Sequence, residues 1–159
     1  MSVKLDAIDM RILAELQADG RLTNVALAAR AGITPPPCLR RVRALEEAGY
    51  ITGYHAAVDE RRLGFAVSGY AMVGLHSQSE SDLRAFENRV LAWPLVRTCD
   101  YLAGETDFIL RCVAPDMQAF QDFVTRELTA APNVATVKTF LSIRGVKREP
   151  GIPIRQVRS

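Results

Sequence analysis

Residues 21–50 read RLTNVALAARAGITPPPCLRRVRALEEAGY. Thr23 suits the N-cap of a short apolar helix, and Gly32 ends that helix where a tight turn needs a positive φ. A second helix follows within two or three residues, and its apolar residues have the i, i+4, i+7 spacing of one helix face: Cys38, Val42 and Leu45. Two helices joined by a short glycine turn are typical of a helix-turn-helix, whose last helix enters the major groove of DNA.

Helical spacing also precedes this motif, and β-favouring residues follow it. Asp6 suits an N-cap, and apolar residues then recur on one helix face until the Asp-Gly pair at 19–20 ends the helix. Residues 50–54, YITGY, alternate β-favouring side chains around a glycine and predict a short wing or a strand leading out of the domain. Residues 1–54 are therefore predicted to form a winged helix-turn-helix domain.

Three consecutive prolines, Pro35 to Pro37, follow Thr34 at the start of the last helix. They remove the backbone donors that a capping threonine engages, and a residue that precedes proline is pushed away from α geometry. We therefore expect regular helix to begin near Pro37 or Cys38. Phosphate contacts from this helix N-terminus should be weak, so the nearby arginines must supply more of the affinity for DNA.

The charge is concentrated where the motif lies. The whole chain has a formal charge of +2, which is too small to indicate nucleic-acid binding by itself. Residues 21–45, however, contain five arginines and no Asp or Glu, and residues 144–159 carry +4. A three-helix bundle with a solvated arginine face is the alternative, but the arginines lie on the helix that the motif would insert. The predicted DNA-binding residues are Arg21, Thr34, Pro36, Pro37, Leu39, Arg40, Arg41 and Arg43.

The second half of the chain alternates between strand and helix patterns. The predicted order is β-α-β-β-α-β, with strands at 66–75, 96–103, 107–113 and 134–143 and helices at 81–92 and about 117–128. This is the ferredoxin-like arrangement, in which both helices cover one face of an antiparallel sheet. Because the strands are apolar on both faces, the open face is predicted to pack against a second copy, giving a dimer.

These patterns predict an α+β chain of two small domains. The boundaries are 1–54 for the DNA-binding domain, 55–64 for a linker, 65–148 for a ferredoxin-like oligomerisation domain, and 149–159 for a basic tail. Composition agrees with this class, since 48% hydrophobic and 24% charged residues are typical of a globular protein that buries a core.

The sequence gives little support for a metal-binding, disulfide-bonded or membrane protein. The cysteines at 38, 99 and 112 form no Cys-x-x-Cys pair, and His55 and His76 are too far apart for a helical metal-ligand pair. We therefore expect no metal site, no cofactor and buried, reduced thiols. No stretch approaches the roughly 20 apolar residues of a membrane span, so we expect a cytoplasmic protein without a membrane partner.

The chain resembles the Lrp/AsnC family, the feast/famine regulators of bacteria and archaea, over essentially its whole length. The motifs that carry the resemblance are Leu5-Asp6-x-x-Asp9, Gly32-Ile33-Thr34, Arg41-Val42-x-x-Leu45-Glu46, Leu63-Gly64 and Gly104-x-x-Asp107-Phe108. The family usually has polar residues where this chain has Pro36 and Pro37.

The resemblance implies a dimer-based transcriptional regulator that often assembles to octamers and binds double-stranded DNA. Its C-terminal domain would bind an amino acid at an interface between effector domains. The effector-binding residues that the resemblance implies are Tyr101, Gly104, Glu105, Thr106, Asp107, Thr139, Phe140 and Ser142.

The chemistry of an amino-acid site can be stated separately. A free amino acid presents an ammonium and a carboxylate, so its site needs carboxylate or carbonyl oxygens beside several N–H donors. The turn at Gly104 with Glu105 and Asp107 could provide both, or Asp107 could cap the hairpin while Glu105 is solvated.

Two other functions compete with a ligand-responsive regulator. One is an architectural protein that bends or wraps DNA without sensing a ligand. The other is an enzyme, because ferredoxin-like dimers also host catalysis, but the sequence offers no nucleophile–base pair, metal cluster or phosphate loop.

Overall fold

The computed structural model describes residues 5–154, which divide into two compact units. Within these residues, the first unit comprises 5–57 and 147–154, and the second comprises Val58–Val146. The predicted linker, 55–64, is thus divided between the units after Ala57. The chain enters the second unit once, leaves it once and then rejoins the first.

The first unit is built from three helices: α1 (Ala7–Ala18), α2 (Asn24–Ala31) and α3 (Pro35–Glu47). Asp6 caps α1 by accepting hydrogen bonds from two backbone N–H groups, and Thr23 caps α2 by accepting one from Ala26 at 3.2 Å. Gly32 ends α2 with a φ of 75°. The buried core between the helices consists of Ile12, Leu27, Ala28, Ala31, Cys38 and Leu45.

Helix α3 begins at Pro35, so the expected start near Pro37 or Cys38 is wrong. The first N–H groups of any helix have no acceptor within it, and prolines at these positions therefore give up no hydrogen bond. The Cys38 N–H is the first that the helix can use, and it donates to the Thr34 carbonyl at 3.3 Å. The side chain of Thr34 makes no capping hydrogen bond, as expected where the prolines have removed the donors.

The strand predicted over residues 50–54 does not form. A strand needs a partner for its backbone groups, and in this unit the described residues form no other strand beside it. The segment is fixed in other ways, since the Ile51 N–H donates to the Leu45 carbonyl and the Tyr54 hydroxyl donates to Glu46 at 2.8 Å.

The returning segment, residues 147–154, is held on α1 by the side-chain amide of Gln17. Its Nε2 donates to the Ile152 carbonyl at 2.6 Å, and its Oε1 accepts from the Ile152 N–H at 3.1 Å. Gly151 has a φ of 69°, and a Cβ there would run into the Gln17 side chain. Glycine is therefore required at this position for two separate reasons.

The second unit has the predicted ferredoxin-like order. Its elements are β1 (Val67–Leu75), α4 (Glu80–Leu91), β2 (Val96–Tyr101), β3 (Phe108–Ala114), α5 (Met117–Asp122), a π-helical continuation over Phe123–Leu128, and β4 (Val134–Leu141). The sheet is antiparallel with the order β2-β3-β1-β4. Both helices pack on one face of the sheet. The core between them combines residues on or next to the helices, Phe86, Val90, Trp93, Phe120, Phe123 and Leu128, with strand residues Ala71, Val73, Phe108, Leu110 and Cys112.

The other face of the sheet is uncovered by helices. Tyr70 of β1 is paired with Phe140 of β4, and these side chains are 41% and 53% exposed. Met72 and Ile109 are cross-strand neighbours on the same face. Large apolar side chains that stay exposed side by side are characteristic of surfaces that bind other molecules.

Candidate functional site

The outward surface of α3 is apolar at its start and basic in its middle. Pro36, Leu39, Arg40 and Arg43 are exposed and lie close together, because residues three and four apart are neighbours on a helix. Among residues 5–154, neither Arg40 nor Arg43 forms an ion pair. Their charges are therefore available to a partner.

Arg41 lies on the same helix, but its side chain points toward the start of α1. Its Nη1 lies 2.8 Å from an Asp6 carboxylate oxygen and 2.7 Å from an Asp9 carboxylate oxygen. The Asp9 side chain is only 10% exposed, and its other oxygen accepts from the Asp6 N–H at 3.1 Å. The Asp9 N–H and then the Arg41 guanidinium lower the pKa of Asp6. Arg41 thus joins the capping residues of α1 to α3.

The remaining residues predicted to bind DNA are dispersed around this surface. Arg21 is exposed in the turn before α2, Thr34 is exposed at the N-cap of α3, and Pro37 is half-buried. Asn24, which sequence reasoning missed, donates from Nδ2 to the Pro35 carbonyl at 2.8 Å and so ties the starts of α2 and α3 together. An ordinary asparagine at a helix start gives no signal of this in the sequence.

Asp107 is a buried carboxylate at the end of the β2–β3 hairpin, 7% exposed. One oxygen accepts from the Leu75 N–H at 2.7 Å and the other from Gln78 Nε2 at 2.8 Å. Its own N–H donates to the Val73 carbonyl at 3.0 Å. The carboxylate therefore fixes the hairpin to the end of β1, and the partner Gln78 was not foreseen.

The rim of the hairpin is more open. Tyr101 is 56% exposed and its ring packs on Phe108 with centroids 5.1 Å apart. Gly104 has open space where a side chain would stand, and Glu105 is exposed. Thr106 Oγ1 donates to the Val73 carbonyl at 3.4 Å. These residues form a rim that a small ligand can reach.

The predicted residues of β4 lie away from this rim within one chain. Thr139 and Phe140 are consecutive in a strand, so their side chains point to opposite faces of the sheet. The Ser142 N–H donates to the Ser68 carbonyl, whereas the hairpin is bonded to Val73. Five residues of strand place Ser142 about 17 Å from the hairpin along β1. Thr139 is closer, since it is paired with Ala71, but β1 lies between β4 and the hairpin strands.

The cysteines are placed as small hydrophobes. Cys38 and Cys112 are buried and Cys99 is half-buried. Burial raises the pKa of the Cys112 thiol and of the Cys99 thiol to about 11. The described part of the chain has no group of His, Cys, Asp or Glu side chains placed to hold a metal ion. No helix between residues 5 and 154 is long and apolar enough to cross a membrane.

A basic helix-turn-helix unit followed in the chain by a ferredoxin-like unit defines a class of DNA-binding regulators with a separate ligand-binding domain. Residues 5–52 match the family model of a winged helix-turn-helix DNA-binding domain, and residues 68–152 match that of the Lrp/AsnC ligand-binding domain. The chain belongs to the Lrp/AsnC family of DNA-binding transcriptional regulators.

Relatives match over nearly the full length. The leucine-responsive regulatory protein of Rhizobium meliloti is 58% identical over 145 residues, covering 91% of this chain and 93% of that protein. The Bkd operon transcriptional regulator of Pseudomonas aeruginosa is 41% identical, covering 95% and 99%. A solved transcriptional regulator of Neisseria meningitidis, in complex with L-Met, has a TM-score of 0.91 at 32% identity and covers 98% of this chain and 100% of that one.

Proposed function

We propose that this regulator contacts DNA through the outward surface of α3 and that an amino acid, bound between C-terminal domains of a homodimer, modulates its assembly or its affinity for DNA. The proposed DNA contacts are Arg21, Thr34, Pro36, Pro37, Leu39, Arg40 and Arg43. Arg41 is assigned to positioning α3, because two carboxylates engage its guanidinium.

The observation that carries the DNA interface is that Arg40 and Arg43 are exposed on α3 and form no ion pair with any residue between 5 and 154. Each phosphate contact contributes about 0.9 to the slope of log K against log salt. Arg40→Ala and Arg43→Ala should each reduce the slope by about that amount when binding to the chain's own upstream DNA is measured by fluorescence anisotropy. Arg89→Ala, an exposed arginine on α4, is the matched control. Unchanged slopes in both α3 variants would refute the interface.

A homodimer is supported by the exposed Tyr70–Phe140 face of the sheet, and further assembly to an octamer is proposed from the family resemblance. A second copy packed on this face would bury aromatic side chains that one chain leaves exposed. Phe140→Lys should shift the protein toward monomer in sedimentation-velocity experiments. Lys138→Glu, on the same face but without loss of apolar surface, is the comparison, and an unchanged Phe140→Lys assembly would exclude this face.

The effector site is proposed to combine the hairpin rim of one chain with β4 residues of another. This is supported by the separation of Ser142 from the hairpin, about 17 Å along β1, and by the position of β1 between the hairpin strands and β4. The leucine-responsive name of one relative and the L-Met complex of another favour an amino acid. A thermal-shift screen of free amino acids tests this, since a ligand that binds only the folded state raises the Tm. Tyr101→Ala should remove the shift, whereas no shift with any amino acid would favour the architectural alternative.

Asp107 is proposed to support the effector site without contacting the ligand, because it is 7% exposed and both carboxylate oxygens already accept hydrogen bonds from the protein. We further propose that the protein is cytoplasmic and has no enzymatic activity. Amino-acid turnover that persists in purified protein and is lost in Asp107→Asn, together with no DNA binding, would support the enzyme alternative.

A further inference from the structure

The first turn of α3 lacks the hydrogen-bond donors that a groove-reading helix normally offers. Pro35, Pro36 and Pro37 have no N–H, and the Cys38 N–H is already used by the Thr34 carbonyl. Backbone amides of this turn therefore contact neither phosphates nor base edges.

The outward side chains of the same turn are hydrocarbon. Pro36 is exposed, and Leu39, one turn along, is 40% exposed although leucines usually lie inside. The two are neighbours at i and i+3, and Arg40 and Arg43 adjoin them on the same surface. The helix thus presents an apolar patch, Pro36 and Leu39, beside two cationic side chains.

This patch fits one chemical group in the major groove. The N-terminal residues of a recognition helix face the base edges, and the edges there consist of hydrogen-bonding groups and the thymine 5-methyl group. Only the methyl group is complementary to Pro36 and Leu39. We propose that Pro36 and Leu39 read thymine by its 5-methyl group and so are specificity-determining residues of this protein.

The inference rests on the proposed DNA interface, but it also requires that the protein bind thymine more tightly than uracil. Uracil pairs as thymine does and differs from it in the groove by lacking the methyl group. Burying one such group on binding changes affinity by about fourfold. DNA in which uracil replaces thymine should therefore bind about fourfold more weakly for each methyl group contacted, with an unchanged salt slope.

The test compares the chain's upstream DNA made with thymine or with uracil, at two salt concentrations, by fluorescence anisotropy. Uracil interference on the same fragment, in which bound and unbound molecules are cleaved at uracil, then locates the positions. Leu39→Ala should weaken interference at those positions and reduce the difference in affinity between the two DNAs. Leu91→Ala, an 85% exposed leucine on α4, should bind as the unmodified protein does.

The outcomes are distinguishable from those of the proposed function. Salt-dependent binding that is equal for thymine and uracil DNA overturns this inference and leaves the DNA interface intact. A uracil effect that persists in Leu39→Ala and in Pro36→Ala overturns the assignment to these residues. Absence of salt-dependent binding to either DNA overturns the interface and this inference together.

Discussion

Replacing Arg41 with alanine should destabilise the DNA-binding unit without removing a DNA contact. The guanidinium hydrogen-bonds to Asp6 and Asp9 at 2.8 and 2.7 Å. Without it, the Asp9 carboxylate, 10% exposed, keeps a single donor, the Asp6 N–H. A carboxylate left in a buried position without its cation is unfavourable, and this is the source of the expected loss.

The magnitude follows from how exposed the three groups are. Breaking a fully buried ion pair costs about 3–5 kcal/mol, and an exposed pair contributes about 0–1 kcal/mol. Arg41 and Asp6 are 33% and 50% exposed while Asp9 is nearly buried, so we expect a loss of about 2 kcal/mol. A domain of this size rarely exceeds about 3–5 kcal/mol of stability, so the loss is a large part of the total.

Hydrogen exchange followed by mass spectrometry measures this in the full chain. Peptides from α1 and α3 should lose about thirtyfold in protection, while peptides from the second unit stay unchanged. Arg30→Ala is the control, because its partner Glu15 is 23% exposed, against 10% for Asp9, so protection should fall less than in Arg41→Ala. Unchanged protection in Arg41→Ala, or a salt slope for DNA reduced as in Arg40→Ala, would refute the positioning role.

Three other perturbations test the second unit, the returning segment and the thiols. Asp107→Ala should lower the free energy of unfolding of the second unit by about 2 kcal/mol, because it leaves the Leu75 N–H without an acceptor. Trp93 fluorescence during urea unfolding measures this change. An equal loss of stability in Glu105→Ala would contradict the prediction. Gly151→Ala should release residues 147–154 from α1, seen as faster hydrogen exchange there and not in α3. Retained protection would show that position 151 does not require glycine. With a pKa of about 11, the Cys112 thiol is ionised in roughly one molecule in a thousand at about pH 8. Iodoacetamide should therefore label Cys112 far more slowly in the native protein than in the urea-unfolded protein. Equal labelling rates would contradict its burial.

Local patterns made most of the fold predictable. Asp6 and Thr23 cap their helices as expected, because a cap depends only on residues within one turn. The β-α-β-β-α-β order was also predictable from the change between two- and 3.6-residue periods. The strand at 50–54 was wrong because β-favouring residues form a strand only beside a partner, and the sequence does not show where a partner lies.

Contacts between residues far apart in the sequence could not be predicted from local patterns. Arg41 meets Asp6 and Asp9 across separations of 35 and 32 residues, and no spacing rule connects them. The position of Arg41 in the sequence gave no indication that its role differs from the roles of Arg40 and Arg43. Asp107 was singled out by its motif, but its partner Gln78 follows from how β1 ends beside the hairpin.

The five arginines of residues 21–45 therefore do not act as one charge. Arg30 is paired with Glu15, and Arg41 with two aspartates, and all three acids come from outside the window that made it look uniformly basic. In the proposed interface, Arg21, Arg40 and Arg43, which form no ion pair within residues 5–154, are left to contact phosphates, and at about 0.9 per contact they would give a slope of about −3 per protomer. If Arg30→Ala and Arg41→Ala each reduced the slope by about 0.9, both guanidinium groups would have to leave their carboxylates on binding, and breaking the Arg41 ion pairs would then oppose DNA binding.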